Sequence, residues 1–196
     1  TQMRKTNTDL LNPILSNDIN VMLSGAAYYP EMACLNNDKR LFNNILSEIK
    51  DDPTFELIRW NQHYKIENPT ISQTFNILCN KMAEHLGIKI VKTRLNYYKD
   101  NSDWKTYHKD SHAYSEKLQI YEDYTFGISL GGKRILSFKH EQSGNILSFP
   151  QNNGDVFAFD THVNQKFLHG VPKVAYQSEP RISVIVWGKK IENGII

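Results

Sequence analysis

The spacing of apolar positions divides the chain into a first part with helical periodicity and a longer remainder rich in strands. Positions 41, 42, 45, 46 and 49 are apolar, a spacing that predicts a helix over residues 41–49, and Asp38 is its expected N-cap. A second apolar stripe predicts a helix over residues 72–86, with Gly87 as its C-cap. We therefore expect two helices before residue 88.

After Gly87, short runs rich in β-branched and aromatic residues alternate with turn signals. The predicted strands cover residues 90–98, 124–130, 134–140, 145–149, 156–159, 166–169 and 181–187. Gly131-Gly132 has the length of a two-residue hairpin loop, and residues 152–155 form a second strong turn signal. Such a succession predicts a mainly β fold of the α+β class, an antiparallel double-sheet jelly roll with the N-terminal helices packed on its major sheet. We expect one domain over residues 1–196, with a helical or lid layer at 1–88 and the jelly-roll core at 89–190.

Composition limits the class of protein but does not select a function. With 40% hydrophobic and 22% charged residues, the chain is typical of a soluble globular protein. It shows no secretory signal and no membrane-spanning apolar run, and its two cysteines are too few for a disulfide framework. We therefore expect an intracellular protein, nuclear or cytoplasmic. We also expect a monomer. The net charge of +2 permits a nucleic-acid partner without arguing for one.

The segment Tyr107-His108-Lys109-Asp110 and the distant His169 have the residue types of a metal site. In a strand, residues i and i+2 point to the same face, so His108 and Asp110 can present a nitrogen and an oxygen to one ion. An imidazole from a facing strand, His169, would complete a set that suits non-haem Fe(II). A zinc hydrolase could use the same donors, and a chain with seven histidines contains such spacings by chance.

An arginine at the start of the last predicted strand suggests an anion site. Alternation places on one face Arg181, Ser183, Ile185 and Trp187. Burying Arg181 is costly unless an anion meets it, and a guanidinium matches a carboxylate such as the distal one of 2-oxoglutarate. Asn96 and Tyr98 share a strand face and could bond the same dicarboxylate. The alternatives are an ion pair of Arg181 with Glu179, and ordinary strand packing for the other two.

Seven segments, taken in order, resemble the AlkB-type branch of the Fe(II)- and 2-oxoglutarate-dependent dioxygenases. They are residues 95–100, 103–110, 128–131, 134–138, 154–159, 164–172 and 181–183. The resemblance implies a double-stranded β-helix with Fe(II) bound by His108, Asp110 and His169. It also implies 2-oxoglutarate as co-substrate and O2 as oxidant. The implied 2-oxoglutarate site consists of Asn96, Tyr98, Arg181 and Ser183.

Three positions depart from the family pattern. Where relatives often carry a second arginine six positions after the first, this chain has Trp187, and an indole cannot replace the charge of a cation. Ser183 stands where an asparagine is common, and His112 stands where an acid often contacts the alkylated base. We therefore expect 2-oxoglutarate to be braced differently from its place in those relatives.

The resemblance implies oxidative demethylation of alkylated bases in DNA or RNA. Such an enzyme stacks the extruded base on aromatic side chains. The candidate substrate contacts are Trp60, Tyr64, Trp104, Tyr107 and His112. Trp60 and Tyr64 could instead pack the N-terminal layer onto the barrel. Two other functions stay open, namely a 2-oxoglutarate oxygenase that hydroxylates a protein side chain or small molecule, and a non-enzymatic jelly-roll binding module.

Overall fold

Strands dominate residues 20–59 and 62–192, the ranges that the computed structural model describes. Residues 20–25 are helical and lead into the first strand. The longer helices are α1 (Arg40–Ile49), α2 (Gln73–Leu86) and α3 (Thr161–Lys166). The strands are β1 (Ala26–Tyr29), β2 (Glu56–Ile58), β3 (His63–Glu67), β4 (Ile88–Tyr98), β5 (Lys105–His108), β6 (Tyr114–Ser115), β7 (Ile120–Tyr121), β8 (Tyr124–Gly131), β9 (Arg134–His140), β10 (Ile146–Gln151), β11 (Val156–Asp160), β12 (Phe167–Val171) and β13 (Arg181–Lys190). Among these residues no helix combines the length and apolar character that crossing a bilayer requires.

The strands form two main antiparallel sheets that face each other. The major sheet has seven strands in the order β1-β11-β8-β13-β4-β3-β2, and the minor sheet has four in the order β10-β9-β12-β5. Phe138 of the minor sheet packs against Phe157 and Phe159 of the major sheet, with ring centres 5.3 and 5.5 Å apart. The predicted mainly β jelly roll is thereby confirmed.

The principal core lies on the outer face of the major sheet, where α1 and α2 cover it. Ile45 and Phe75 from these helices are buried together with Leu95 and Val184 from the central strands. Leu95 and Tyr97 of β4 and the even-numbered residues of β13 supply this layer, because side chains alternate between the faces of a strand. The opposite face of the same strands is therefore left for the interior between the two sheets.

Both helices form where the sequence predicts them, although the first is capped differently. The Ser72 hydroxyl accepts the amide of Phe75, and Gly87 ends α2 with φ at 67°, as expected. The N-cap of α1 is Lys39 and has no side-chain cap, so the prediction of Asp38 is wrong by one residue. Asp38 lies just outside the helix and accepts the amide of Arg40.

The N-terminal part contributes strands as well as helices, which differs from the helical layer expected over residues 1–88. Strand β1 pairs with β11 at one edge of the major sheet, and β3 pairs with β4 towards the other edge. Strand β2 pairs only with β3 within the described residues. These strands have three to five residues, too few for a periodic pattern to show in the sequence.

Gly131-Gly132 does not close a hairpin, so this prediction is wrong. Strand β8 pairs with β11 and β13, whereas β9 pairs with β10 and β12, so the glycines carry the chain from one sheet to the other. Gly131 has φ at 87°, and a Cβ there would lie 2.5 Å from the Pro180 carbonyl oxygen. The glycines allow a close approach to the segment before β13, which the turn signal alone could not distinguish from a hairpin.

A β-bulge in β5 decides which of its side chains face the interior. His108 stands opposite His169 and Lys105 stands opposite Val171, so two residues of β5 face the single residue Gly170. The extra residue breaks the alternation, and the side chains of Lys105 and His108 both line the interior. A Cβ on Gly170 would lie 2.8 Å from the Lys105 carbonyl oxygen, so the bulge requires glycine at this position.

We predict that Gly170→Ala will destabilise the protein by about 1–3 kcal/mol, because the added methyl group must push β5 away from β12. Chemical denaturation followed by circular dichroism measures the change. Gly127→Ala is the matched control, since its Cβ would lie 3.4 Å from the Ile185 side chain, an ordinary contact distance. Equal stability of the two variants would contradict the structural role assigned to Gly170.

Candidate metal and co-substrate site

Two histidines and one aspartate converge between the sheets. The Nε2 atoms of His108 and His169 each lie 3.4 Å from Asp110 Oδ1. The three ligand atoms all lie within 4.8 Å of one another. The structure therefore brings together the three residues that the sequence proposes as metal ligands, from two segments about 60 positions apart in the chain.

Hydrogen bonds to neighbouring groups orient two of these ligands. His108 Nδ1 lies 2.8 Å from the Thr106 carbonyl oxygen, which can only accept, so Nδ1 carries the proton and Nε2 is left for a metal. Asp110 lies beyond the end of β5, where no strand ladder fixes it. Asn164 of α3 holds it instead, accepting its amide at 3.0 Å and donating to its carbonyl at 2.9 Å. The position of Asp110 is therefore fixed by hydrogen bonds to a side chain, and not by the strand alternation that the sequence suggests.

The protonation states of the site suit a metal. Burial lowers the pKa of His108, which favours the neutral imidazole that a metal requires. Burial alone would raise the pKa of Asp110, but His169, His108 and Lys105 together hold it well below its usual value. Two imidazole nitrogens and one carboxylate oxygen on one side of a site, with the other side open to a cavity, fit non-haem Fe(II).

Trp187 contacts the carboxylate of the triad. Its indole Nε1 donates to Asp110 Oδ2 at 3.1 Å, while the Nε2 atoms of both histidines face Oδ1. The guanidinium carbon of Arg94 lies 5.1 Å from the centre of the indole ring. A neutral N–H donor therefore orients Asp110 where the family pattern has a cation, and positive charge lies behind the ring.

An inner cavity of about 50 Å³ extends from the triad to Arg181. Arg181 is only 3% exposed, and its Nε donates to the Ser129 hydroxyl at 2.8 Å. Its Nη1 is buried with no hydrogen-bond partner. Within the described residues Arg181 forms no ion pair, so the alternative of pairing with Glu179 is not observed. Burial lowers the pKa of Arg181 to about 10, which leaves the group charged at neutral pH.

The other proposed co-substrate residues line the same cavity. Asn96, Tyr98 and Ser183 all face it, as strand alternation predicts. The ring centre of Tyr98 lies 5.2 Å from the guanidinium carbon of Arg181. His63 stacks on Tyr98 at 5.3 Å, and its Nε2 lies 3.0 Å from Asn96 Oδ1. One end of the inner cavity is therefore built from side chains that hold one another in place.

A larger outer groove of about 570 Å³ opens on the other side of the triad. His112 lies on its rim, with Nδ1 3.1 Å from a carboxylate oxygen of Glu122. Burial raises the pKa of Glu122 to about 7, although the charge of a protonated His112 acts in the opposite direction. Of the five proposed substrate contacts, His112 is the one that the described structure places at this groove.

Three of the other proposed substrate contacts do not line the groove. Tyr64 points to the helical face of the major sheet, where its ring lies 5.3 Å from that of Phe55. Trp104 and Tyr107 line a separate depression of about 200 Å³, and Lys173 lies 4.8 Å from the Trp104 ring centre. Trp60 lies outside the described residues. Tyr64 therefore packs within the protein, which is the alternative to a substrate contact that the sequence allowed.

Sequence reasoning missed several residues that contact the predicted ones. They are Ser129, Arg134 and Asn164. Arg134 is fully buried and donates to the Asp103 and Pro172 carbonyl oxygens at 2.8 and 3.0 Å. Each of these contacts joins distant segments, so no local spacing marks it. The only signal in the sequence is the expense of burying the charged Arg134 in a strand.

Solved structures share this fold. No family model and no curated protein sequence matches the chain. A prolyl-4-hydroxylase from Pseudomonas putida aligns with a TM-score of 0.53 and 12% identity, over 91% of this chain and 100% of its own. A viral collagen prolyl hydroxylase from Paramecium bursaria Chlorella virus-1, solved with 2-oxoglutarate, aligns with a TM-score of 0.52 and 14% identity, over 85% and 96%. The chain therefore has the fold of these proteins, and they give no specific support to the AlkB-type branch.

We predict that Trp187→Phe will weaken divalent metal binding roughly tenfold, because it removes the N–H bond that orients Asp110. Titration calorimetry with Mn(II) measures the affinity. Trp104→Phe is the matched control, since Trp104 lies in the separate depression. Unchanged Mn(II) affinity in Trp187→Phe would show that the indole does not position the ligand.

Proposed function

We propose that this chain is an Fe(II)- and 2-oxoglutarate-dependent oxygenase that hydroxylates an amino-acid side chain of a polypeptide. One observation carries the proposal. The triad of His108, Asp110 and His169 shares a buried cavity with Arg181, whose guanidinium has an unpartnered nitrogen. A facial set of metal ligands beside a buried cation without a counter-ion suits a metal together with an anionic co-substrate.

His108, Asp110 and His169 would hold the metal, which when bound supplies the activation of oxygen that hydroxylation requires. His108 keeps its proton on Nδ1 through the Thr106 carbonyl, so its ligand nitrogen is fixed. Asn164 and Trp187 fix Asp110 from opposite sides, one at the backbone and one at the carboxylate. These contacts keep two of the three donors, those of His108 and Asp110, in place before a metal binds.

Arg181 would bind the distal carboxylate of 2-oxoglutarate. Its Nε donates to Ser129, and its Nη1, which has no partner, is left for the co-substrate. Tyr98 packs against the same guanidinium, and Phe157 and Phe159 line the apolar side of the cavity. This arrangement excludes water from the ion pair, and a charge pair is stronger in such a medium than in solution.

The choice of a polypeptide substrate rests on the structural neighbours and on the groove. Both neighbours are prolyl hydroxylases. Demethylation of nucleic-acid bases, the expectation from the sequence, calls for aromatic side chains that stack on an extruded base. Tyr64, Trp104 and Tyr107 do not face the outer groove, and Trp60 is not among the described residues. Side-chain hydroxylation therefore has the better support.

The proposed activity predicts that the purified protein with Fe(II) and O2 oxidatively decarboxylates 2-oxoglutarate to succinate and CO2, slowly when no substrate is present. Succinate measured by mass spectrometry tests this. His108→Ala should abolish it, because one nitrogen ligand is lost from a site of three. His162→Ala, which changes a histidine outside the triad and the cavity, is the control. Succinate formation by His108→Ala equal to that of the unmodified protein would overturn the metal assignment, and its absence from every sample would favour a binding module.

We predict that Arg181→Met will weaken 2-oxoglutarate binding at least tenfold, since a charge-assisted hydrogen bond contributes roughly 1.5–3 kcal/mol. Calorimetric titration of the Mn(II)-loaded protein measures the affinity. Arg40→Met is the control, because Arg40 lies on the surface with a side chain 86% exposed. If Arg181→Met binds 2-oxoglutarate normally, another cation anchors it.

A further inference from the structure

The outer groove concentrates positive charge in a protein whose net charge is only +2. Cations that line it are Arg59, Lys65, Lys92, Arg94, Lys105 and Lys109, against two acids, Glu56 and Asp110. The carboxylate of Glu67 forms ion pairs with three of these cations, at 3.2 Å from Lys65, 3.5 Å from Lys92 and 2.7 Å from Arg94. Lys109 pairs with Glu141, which lies outside the groove, and Asp110 belongs to the triad, so the other five cations exceed the carboxylates of Glu56 and Glu67 beside them.

Lys105 is the innermost of these cations. Its side chain is only 9% exposed and lines both the outer groove and the inner cavity. Within the described parts of the chain its ammonium makes no hydrogen bond and no ion pair. The bulge in β5 directs it inwards beside His108. The carboxylate of Asp110 attracts its charge but lies beyond ion-pair distance. Burying an ammonium that makes no direct contact is costly, so this geometry indicates a ligand anion that meets it.

The wall of the groove favours a polypeptide over a nucleic acid as the source of that anion. Strand β2 lines the groove and, in the described residues, pairs on one side only, so its other edge can accept an added strand. The described lining contains one large aromatic residue, Trp187, which is buried and bonded to Asp110. A platform for base stacking, which single-stranded nucleic acids need, is therefore lacking among these residues.

We propose that the outer groove binds an acidic, extended polypeptide segment, with Lys105 as the innermost contact for one of its carboxylates. The inference rests on the proposed function and adds the substrate class to it. Lys65, Lys92 and Arg94 form the outer part of the same site, and β2 supplies backbone hydrogen bonds along the segment. The carboxylate that Lys105 binds then lies next to the residue presented to the triad.

The test is fluorescence anisotropy of labelled probes with the full chain, loaded with Mn(II) and 2-oxoglutarate so that no turnover occurs. The probes are a short peptide of alternating glutamate and threonine, its glutamine counterpart and a short oligothymidylate. We expect the glutamate peptide to bind at least tenfold more tightly than the glutamine peptide, and more weakly as salt is raised. Lys105→Met should weaken its binding roughly tenfold.

Matched variants separate a specific site from general charge. Lys117→Met removes an exposed lysine outside the groove and should leave the affinity for the glutamate peptide unchanged. Lys92→Gln changes a partly exposed residue of the groove wall and should weaken binding severalfold, even if Lys105→Met fails to fold. Equal losses in Lys117→Met and Lys92→Gln would overturn the proposal.

Two further outcomes would also overturn it. If oligothymidylate binds more tightly than the glutamate peptide and loses affinity in Lys105→Met, the site belongs to a nucleic acid. If Lys105→Met weakens 2-oxoglutarate and not the peptide, Lys105 serves the co-substrate. Failure of the proposed activity is distinguishable, because it appears as absent succinate formation while the glutamate peptide still binds through Lys105.

Discussion

The pairing of β5 with β12 is the constraint on which the site depends. Its register sets His108 opposite His169, so two histidines separated by 60 positions share one rung between the sheets. Because a register slip of one residue would turn one imidazole to the other face, the ladder must be fixed tightly. The close approach at Gly170 supplies that restriction, since no other residue fits against the Lys105 carbonyl.

The buried cations are the second organising feature, and they are distributed over the two sheets. The major sheet carries Arg181 and the minor sheet carries Arg134 and Lys105, all largely shielded from water. Arg134 donates to two backbone carbonyls through Nη2, although its Nε has no partner, whereas within the described residues Arg181 and Lys105 form no ion pair and Arg181 Nη1 makes no hydrogen bond. A fold that tolerates such unpaired cations is stabilised when anions bind, so we connect these two positions with ligands rather than with packing.

Local patterns were sufficient for much of the fold and for part of the site. The Gly87 cap and the alternation around Arg181 follow from residues close together in sequence, and the structure confirms both. Features that depend on a distant partner could not be predicted in this way. That Gly131 lies in the connection between the two sheets could be recognised only from its close approach to the segment before β13. The inward direction of Lys105 depends on the bulge in β5. The face of the major sheet to which Tyr64 points could be assigned only from its contact with Phe55.

The residues that form the wall of the outer groove and the residues of the triad belong to different strands. The wall consists mainly of β2, β3 and the outer half of β4, at one edge of the major sheet, whereas two of the three triad residues come from β5 and β12 of the minor sheet. Edge strands can change in length and charge without disturbing the ladders that they leave behind. Selectivity in such a protein can therefore diverge through substitutions at the edge while its chemistry is conserved, which makes β2 and β3 the natural place to redesign what the protein accepts.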